Sequence, residues 1–142
     1  MSFNVLIVDD SSSMRAVIKR TIKLSGFDVG EYFEAEDGRE ALELLSNKWV
    51  DIVLSDINMP NMTGMELIAE MKKNELLSSI PVILVTTEGS EKKIQESIRL
   101  GANKYIKKPF FPEEIIKALR SLMGEEVCDV RGDDESNASG DF

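Results

Sequence analysis

An α/β fold of five β-α units, doubly wound around a parallel sheet, is what this sequence predicts. Three observations carry that reading. Short apolar runs alternate with segments of helical period along most of the chain. The first, third and fourth runs are apolar throughout, so both strand faces should be buried, as in a parallel sheet with helices on two sides. The 142 residues, 42% of them apolar, suffice for one domain with a real core.

The elements follow in order. Residues 5–9, VLIVD, read as the first strand. SMRAVIKRTIKLSG follows, with Met14, Val17, Ile18, Thr21 and Ile22 on one helical face, serine caps ahead and Gly26 as a stop. EYFEA, residues 31–35, is a weaker strand, and GREALELLSN a helix with Ala41, Leu44 and Leu45 inward. VDIVLSD, residues 50–56, is the third strand and MELIAEMKKN the third helix. PVILVTT, residues 81–87, is the fourth strand, before a helix stopped by Gly101. KYIKK is a short fifth strand. PEEIIKALRSLMG closes the pattern, with Pro112 and two acids in its first turn and Gly124 at its end.

Composition excludes several functions. Net charge is −9, which argues against nucleic acid and favours cationic partners, divalent metal included. There is no histidine, so His-ligated metal and Ser-His-Asp or Cys-His catalysis are out. Cys128 is the single cysteine and fits a reducing compartment. The N-terminus has no signal-peptide pattern and no apolar run is long enough to span a bilayer, so a cytoplasmic protein is expected. Residues 124–142 carry seven acids against Arg131. They read as a solvated, mobile acidic tail, or as a segment for a partner.

In such sheets the ligand crevice lies beyond the carboxyl ends of the strands. Asp9 and Asp10 end the first strand, Asp56 the third, Thr86 and Thr87 the fourth, and Lys107–Lys108–Pro109 the fifth. Alone, each has an ordinary explanation. Asp9 and Asp10 read as helix caps, Thr86 as a β-branched strand residue and Lys108 as a solvated lysine. Together they put three acids, a hydroxyl and an ammonium at one edge. Two carboxylates ~5 Å apart repel by roughly 3 kcal/mol at an effective dielectric of about 20. Lys108 offsets part of this, and a hard divalent cation such as Mg²⁺ suits the rest. Such a site can place a phosphoryl group beside a carboxylate nucleophile.

Paired acids after strand one, DINMPNMTG after strand three, TT after strand four, KPF after strand five and EAEDGREAL over residues 34–42 resemble the receiver domain of two-component response regulators. The likeness covers residues 4 to about 123 and is nearest to stand-alone chemotaxis regulators. It implies a flavodoxin-like sandwich with strand order 2-1-3-4-5. It implies Asp56 as phosphoacceptor and Mg²⁺ on Asp9, Asp10, Asp56 and the Asn58 backbone carbonyl. Thr86 would bond the phosphoryl group. Lys108 would pair with Asp56 across a cis Lys108–Pro109 bond. Tyr105 would be the switch aromatic; by itself it also reads as a half-buried strand residue.

The resemblance further implies that Asn58 and Glu88 hold the hydrolytic water and keep the phosphoryl group short-lived. Thr87 departs from the usual alanine or glycine, and its branched side chain would narrow the approach to Asp56. The donor would be a histidine kinase or phosphotransfer protein. The readout would be the fourth helix, fifth strand and fifth helix, presented to a target such as the flagellar switch, with a phosphatase as a further partner and the protein a monomer. No output domain is expected after residue 123, only the acidic tail, and no catalysis beyond self-phosphorylation and dephosphorylation. A phosphorelay intermediate or phosphate sink is the alternative. An aspartate-nucleophile phosphatase would want Asp-x-Asp-x-Thr after strand one, where DDSSS stands instead. An electron carrier of flavodoxin type would want a glycine-bearing phosphate loop there, and Asp9–Asp10 would repel it. A receiver-like protein signalling without phosphate sits poorly with the intact acid, hydroxyl and lysine set.

Overall fold

The computed structural model describes residues 2–123, and the expected acidic tail, Cys128 and the Gly124 helix end lie outside them. Five strands alternate with five helices: β1 (Phe3–Val8), α1 (Ser12–Ser25), β2 (Val29–Ala35), α2 (Gly38–Asn47), β3 (Ile52–Ser55), α3 (Gly64–Lys72), β4 (Val82–Thr86), α4 (Glu91–Leu100), β5 (Lys104–Lys107) and α5 (Pro112–Met123). One sheet of order β2-β1-β3-β4-β5 holds them, with every pairing parallel. Continuous apolar strands end as predicted, buried on both faces: every residue of β3 and β4 is buried, and so are five of the six in β1.

The two faces make two cores. Leu6, Val8, Val53, Leu84, Leu67, Ile68 and Met71 belong to one, beneath α2 and α3. Val5, Ile7, Leu54, Ile83, Ile18, Ile22, Ile115 and Leu119 belong to the other, beneath α1 and α5. Successive strand residues alternate between the cores because their side chains alternate across the sheet.

Local chemistry starts and stops the helices. Ser11 caps α1 by accepting from the Met14 amide at 3.1 Å, and Gly26 ends it in the left-handed region at φ 86°. Thr63 and Glu66 form a reciprocal capping box on α3. The expected inward face of α1 is narrower than its period suggested. Ile18 and Ile22 are buried, but Val17 is 47% exposed and Thr21 half-buried. The strip that meets the sheet centres on the Ile18–Ile22 line, which turns Val17 toward the outer edge beside α5. Leu44 is likewise only half-buried. α4 departs most from a packed helix: Ser97 is its one fully buried residue, and Ile98 and Leu100 are exposed.

Candidate functional site

Register brings the acids together. Val8 of β1 lies opposite Ala35 of β2 and Ser55 of β3, so the next residues, Asp9 and Asp56, leave the sheet side by side. The Asp9 amide donates to the Ala35 carbonyl at 3.0 Å and the Asp56 amide to the Val8 carbonyl at 2.9 Å. Asp9 is 1% exposed, Asp56 half-buried and Asp10 exposed. One carboxylate oxygen from each of Asp9, Asp10 and Asp56 lies within 4.8 Å of the others.

Lys108 completes the cluster. Its Nζ donates to Asp9 Oδ2 at 2.8 Å and to Asp56 Oδ2 at 3.2 Å. Its backbone amide donates to the Thr86 carbonyl at 2.8 Å, and the Lys108–Pro109 bond is cis. Burial works against the charged ammonium. The Asp9 hydrogen bond and the charges of Asp56 and Asp9 outweigh it and hold the Lys108 pKa above the ordinary lysine value. The solvated-lysine reading of Lys108 is therefore corrected, and so is the capping reading of Asp9 and Asp10. Ser11 is the cap, while Asp9 Oδ1 accepts from the Ser11 amide at 2.9 Å. The closer partner of Lys108 is Asp9 and not the expected Asp56.

The remaining predicted residues lie along the same edge. Thr86 is fully buried, and its Oγ1 accepts from the Glu88 amide at 3.3 Å. Thr87 is exposed, one residue past β4. Glu88 is half-buried and accepts from the Ser90 amide at 3.4 Å. Tyr105 is half-buried, opposite Leu84 in the register, and its hydroxyl donates to the Glu88 carbonyl. Burial, then the negative charges of Glu88 and Asp56, push the Tyr105 phenol pKa up. Asn58 is exposed in the loop after Asp56.

Four residues that sequence reasoning missed hold these loops. Arg15 Nη1 donates to the Asp9 carbonyl at 2.5 Å while its Nε pairs with Glu34 at 2.8 Å. The Arg15 bond holds the Glu34 carboxyl below its usual range against the opposing effect of burial, with Lys19 adding to it. Asp37 and Asn61 join the start of α2 to the loop after β3. Only Asp37 left a trace in the sequence, as an acid immediately before a helical run with Glu40 three residues on.

A five-stranded parallel sheet of order 2-1-3-4-5, with three aspartates and a lysine meeting at its carboxyl edge, defines the receiver class of signalling domain. Comparison with known proteins places the chain by family. Residues 5–120 match the response regulator receiver domain, and the chain belongs to that family. It is 40% identical over 121 residues to a chemotaxis protein CheY homolog of Campylobacter jejuni, covering 84% of this chain and 92% of the relative. It is 37% identical to chemotaxis protein CheY1 of Helicobacter pylori, covering 84% and 96%. Among solved structures it resembles the chemotaxis response regulator CheY4 of Vibrio cholerae, with TM-score 0.77, 37% identity, and 86% and 99% of the two chains covered. It is thus a response regulator of two-component signalling with chemotaxis proteins as relatives, in a family of signalling proteins rather than conventional enzymes. Among the described residues no helix is long and apolar enough to cross a membrane.

The acidic cluster fits the divalent ion that receiver domains bind. All its donors are hard oxygens. One ammonium among three carboxylates leaves a double negative charge uncompensated within the cluster.

Proposed function

We propose that Asp56 accepts a phosphoryl group from the phosphohistidine of a kinase or phosphotransfer protein. An Asp56 carboxylate oxygen attacks phosphorus, an O–P bond forms, the P–N bond breaks, and the electron pair leaves with the donor's imidazole. Asp9, Asp10, Asp56 and the Asn58 backbone carbonyl would hold Mg²⁺. When bound, that ion supplies charge neutralisation for the phosphoryl oxygens. Lys108 trades part of its hold on Asp56 for the incoming phosphoryl oxygens and keeps its bond to Asp9. Thr86 turns its hydroxyl to the same group, and Tyr105 follows Thr86. This biases α4, β5 and α5 toward a target-binding state. Asn58 and Glu88 orient the water that later releases phosphate, and Thr87 narrows its path. Residues 1–123 form the receiver unit, and residues 124–142 an acidic tail beyond it. The chemotaxis relatives favour a motility target such as the flagellar switch, with a phosphatase as a further partner and a cytoplasmic monomer as the working form.

The observation that carries this reading is Lys108 bonded to both Asp9 and Asp56 inside a three-carboxylate cluster. A structural ion pair needs neither the third acid nor an exposed one. The test is incubation with Mg²⁺ and acetyl phosphate, followed by intact mass. The wild type should gain one phosphoryl group and Asp56→Asn none. Equal labelling of the two would overturn the assignment.

A further inference from the structure

The loop from Asp56 to Gly64 carries the Asn58 carbonyl, yet nothing in β3 itself fixes its far end. Three contacts do. Gly64 closes the loop, its amide donating to the Ile57 carbonyl at 2.8 Å. The Gly38 amide donates to the Met62 carbonyl at 3.0 Å, and a Cβ on Gly38 would lie 2.7 Å from Met62 Cγ and 3.0 Å from the Met62 carbonyl oxygen, so any side chain there would crowd that approach. Asn61 Nδ2 donates to Asp37 Oδ2 at 2.7 Å.

The third contact is the most constrained. Asp37 is only 9% exposed. Its other oxygen caps α2 by accepting from the Glu40 amide at 2.8 Å. Asn61 sits in the left-handed region at φ 65°, the one non-glycine residue with positive φ among those described. The Asn61 bond first, then the Glu40 amide, hold the Asp37 carboxyl below its usual range, so it stays an acceptor at neutral pH. A strand that gives no ligand to the acidic cluster thus leads into a carboxylate that grips the ligand loop.

We propose that Asp37 and Asn61 act as a pair of positioning residues: by pinning the loop three residues beyond Asn58, they set the Asn58 carbonyl for the divalent cation and raise the affinity of the acidic cluster for it. The proposal rests on the metal reading above. Ligand-orienting partners of this kind change metal affinity by about tenfold or more.

Two substitutions isolate the effect. Asp37→Ser keeps a helix-capping oxygen but is too short to hold Asn61. Asn61→Gly keeps access to positive φ but loses the amide. Free Mn²⁺ is measured by its paramagnetic resonance signal during titration of the full chain, with urea midpoints recorded in parallel. Both variants should bind Mn²⁺ about tenfold more weakly than wild type. The double variant should be no worse than either single one, because the two act through one bond. Variants within twofold of a wild type that binds, or weakening that only tracks the urea midpoint, would overturn the positioning role alone. A wild type that binds no Mn²⁺, or binds it as well after Asp10→Asn, would overturn the metal reading and this proposal with it.

Discussion

The acid half of the sheet edge and the half proposed to switch are built differently. At the tips of β1 and β3 every loop is tied down. Arg15 holds the Asp9 carbonyl, the Ile57 amide closes on Asp56 Oδ1 at 2.6 Å, and Asn61 reaches Asp37. The helices that follow are seated deeply, α1 by Ile18 and Ile22 and α3 by Leu67, Ile68 and Met71. Beyond β4 the Tyr105 hydroxyl holds the Glu88 carbonyl, but the contacts within the loop itself are longer, 3.3 Å from the Glu88 amide to Thr86 and 3.4 Å from the Ser90 amide to Glu88, and α4 buries only Ser97. Charge must be held rigidly where phosphoryl chemistry needs preorganised groups. A segment that moves must come from the weakly packed end of the stability range. On the function proposed above, one edge supplies both, divided between β3 and β4.

Lys108 is the tie across the division, so its removal should have the largest effect. Lys108→Met leaves buried Asp9 without its cation and should cost about 3 kcal/mol in urea unfolding, along with most acetyl-phosphate labelling. A loss under about 1 kcal/mol would mean that the acids are already relaxed by solvent. The two halves can then be compared directly. Ile22→Ala, on the deeply seated α1, should cost about 3 kcal/mol. Ile98→Ala, on α4, should stay within about 0.5 kcal/mol. Amide exchange should be faster in α4 than in α1; equal protection would erase the distinction.

Charge relief is a smaller effect. Asp10→Asn should stabilise the chelator-treated protein by about 1 kcal/mol, since it removes one of three neighbouring carboxylates. It should also abolish most of the stabilisation that added Mg²⁺ gives the wild type. A variant destabilised in chelator would show that the third acid is structural.

The loop-holding carboxylates should contribute to the acid limb of stability. Glu34 and Asp37 have lowered pKa values in the fold. Their contribution is complete above the ordinary carboxylate range and is lost as pH falls through their folded values. Glu34→Gln and Asp37→Asn should each flatten that limb. Lys108 has the opposite sign: its raised value keeps its contribution through neutral pH and loses it only above the ordinary lysine range. The smallest effect belongs to exposed Thr87. Thr87→Ala should speed acetyl-phosphate labelling a few-fold, and an unchanged or slower rate would show that the side chain points clear of Asp56.

Much of this was legible in the sequence because it is local. Continuous apolar runs gave strands buried on both faces, and caps and glycines gave helix ends within a few residues. The strand-end rule put Asp9, Asp10, Asp56, Thr86 and Lys108 on one edge. Strand order came only through family resemblance, since five similar β-α units do not say which strands are neighbours. Val17 misled because helical period gives a face but not how far the neighbouring helix covers it. What the sequence by itself determined was the set of chemical groups and the edge that collects them. Tertiary structure decided which group meets which. Register put Asp9 nearer to Lys108 than Asp56 is, Arg15 found a carbonyl six residues back, and Asp37 met Asn61 across 24 residues. Such pairings depend on distances between elements far apart in the chain, which short-range patterns of hydrophobicity and charge do not encode.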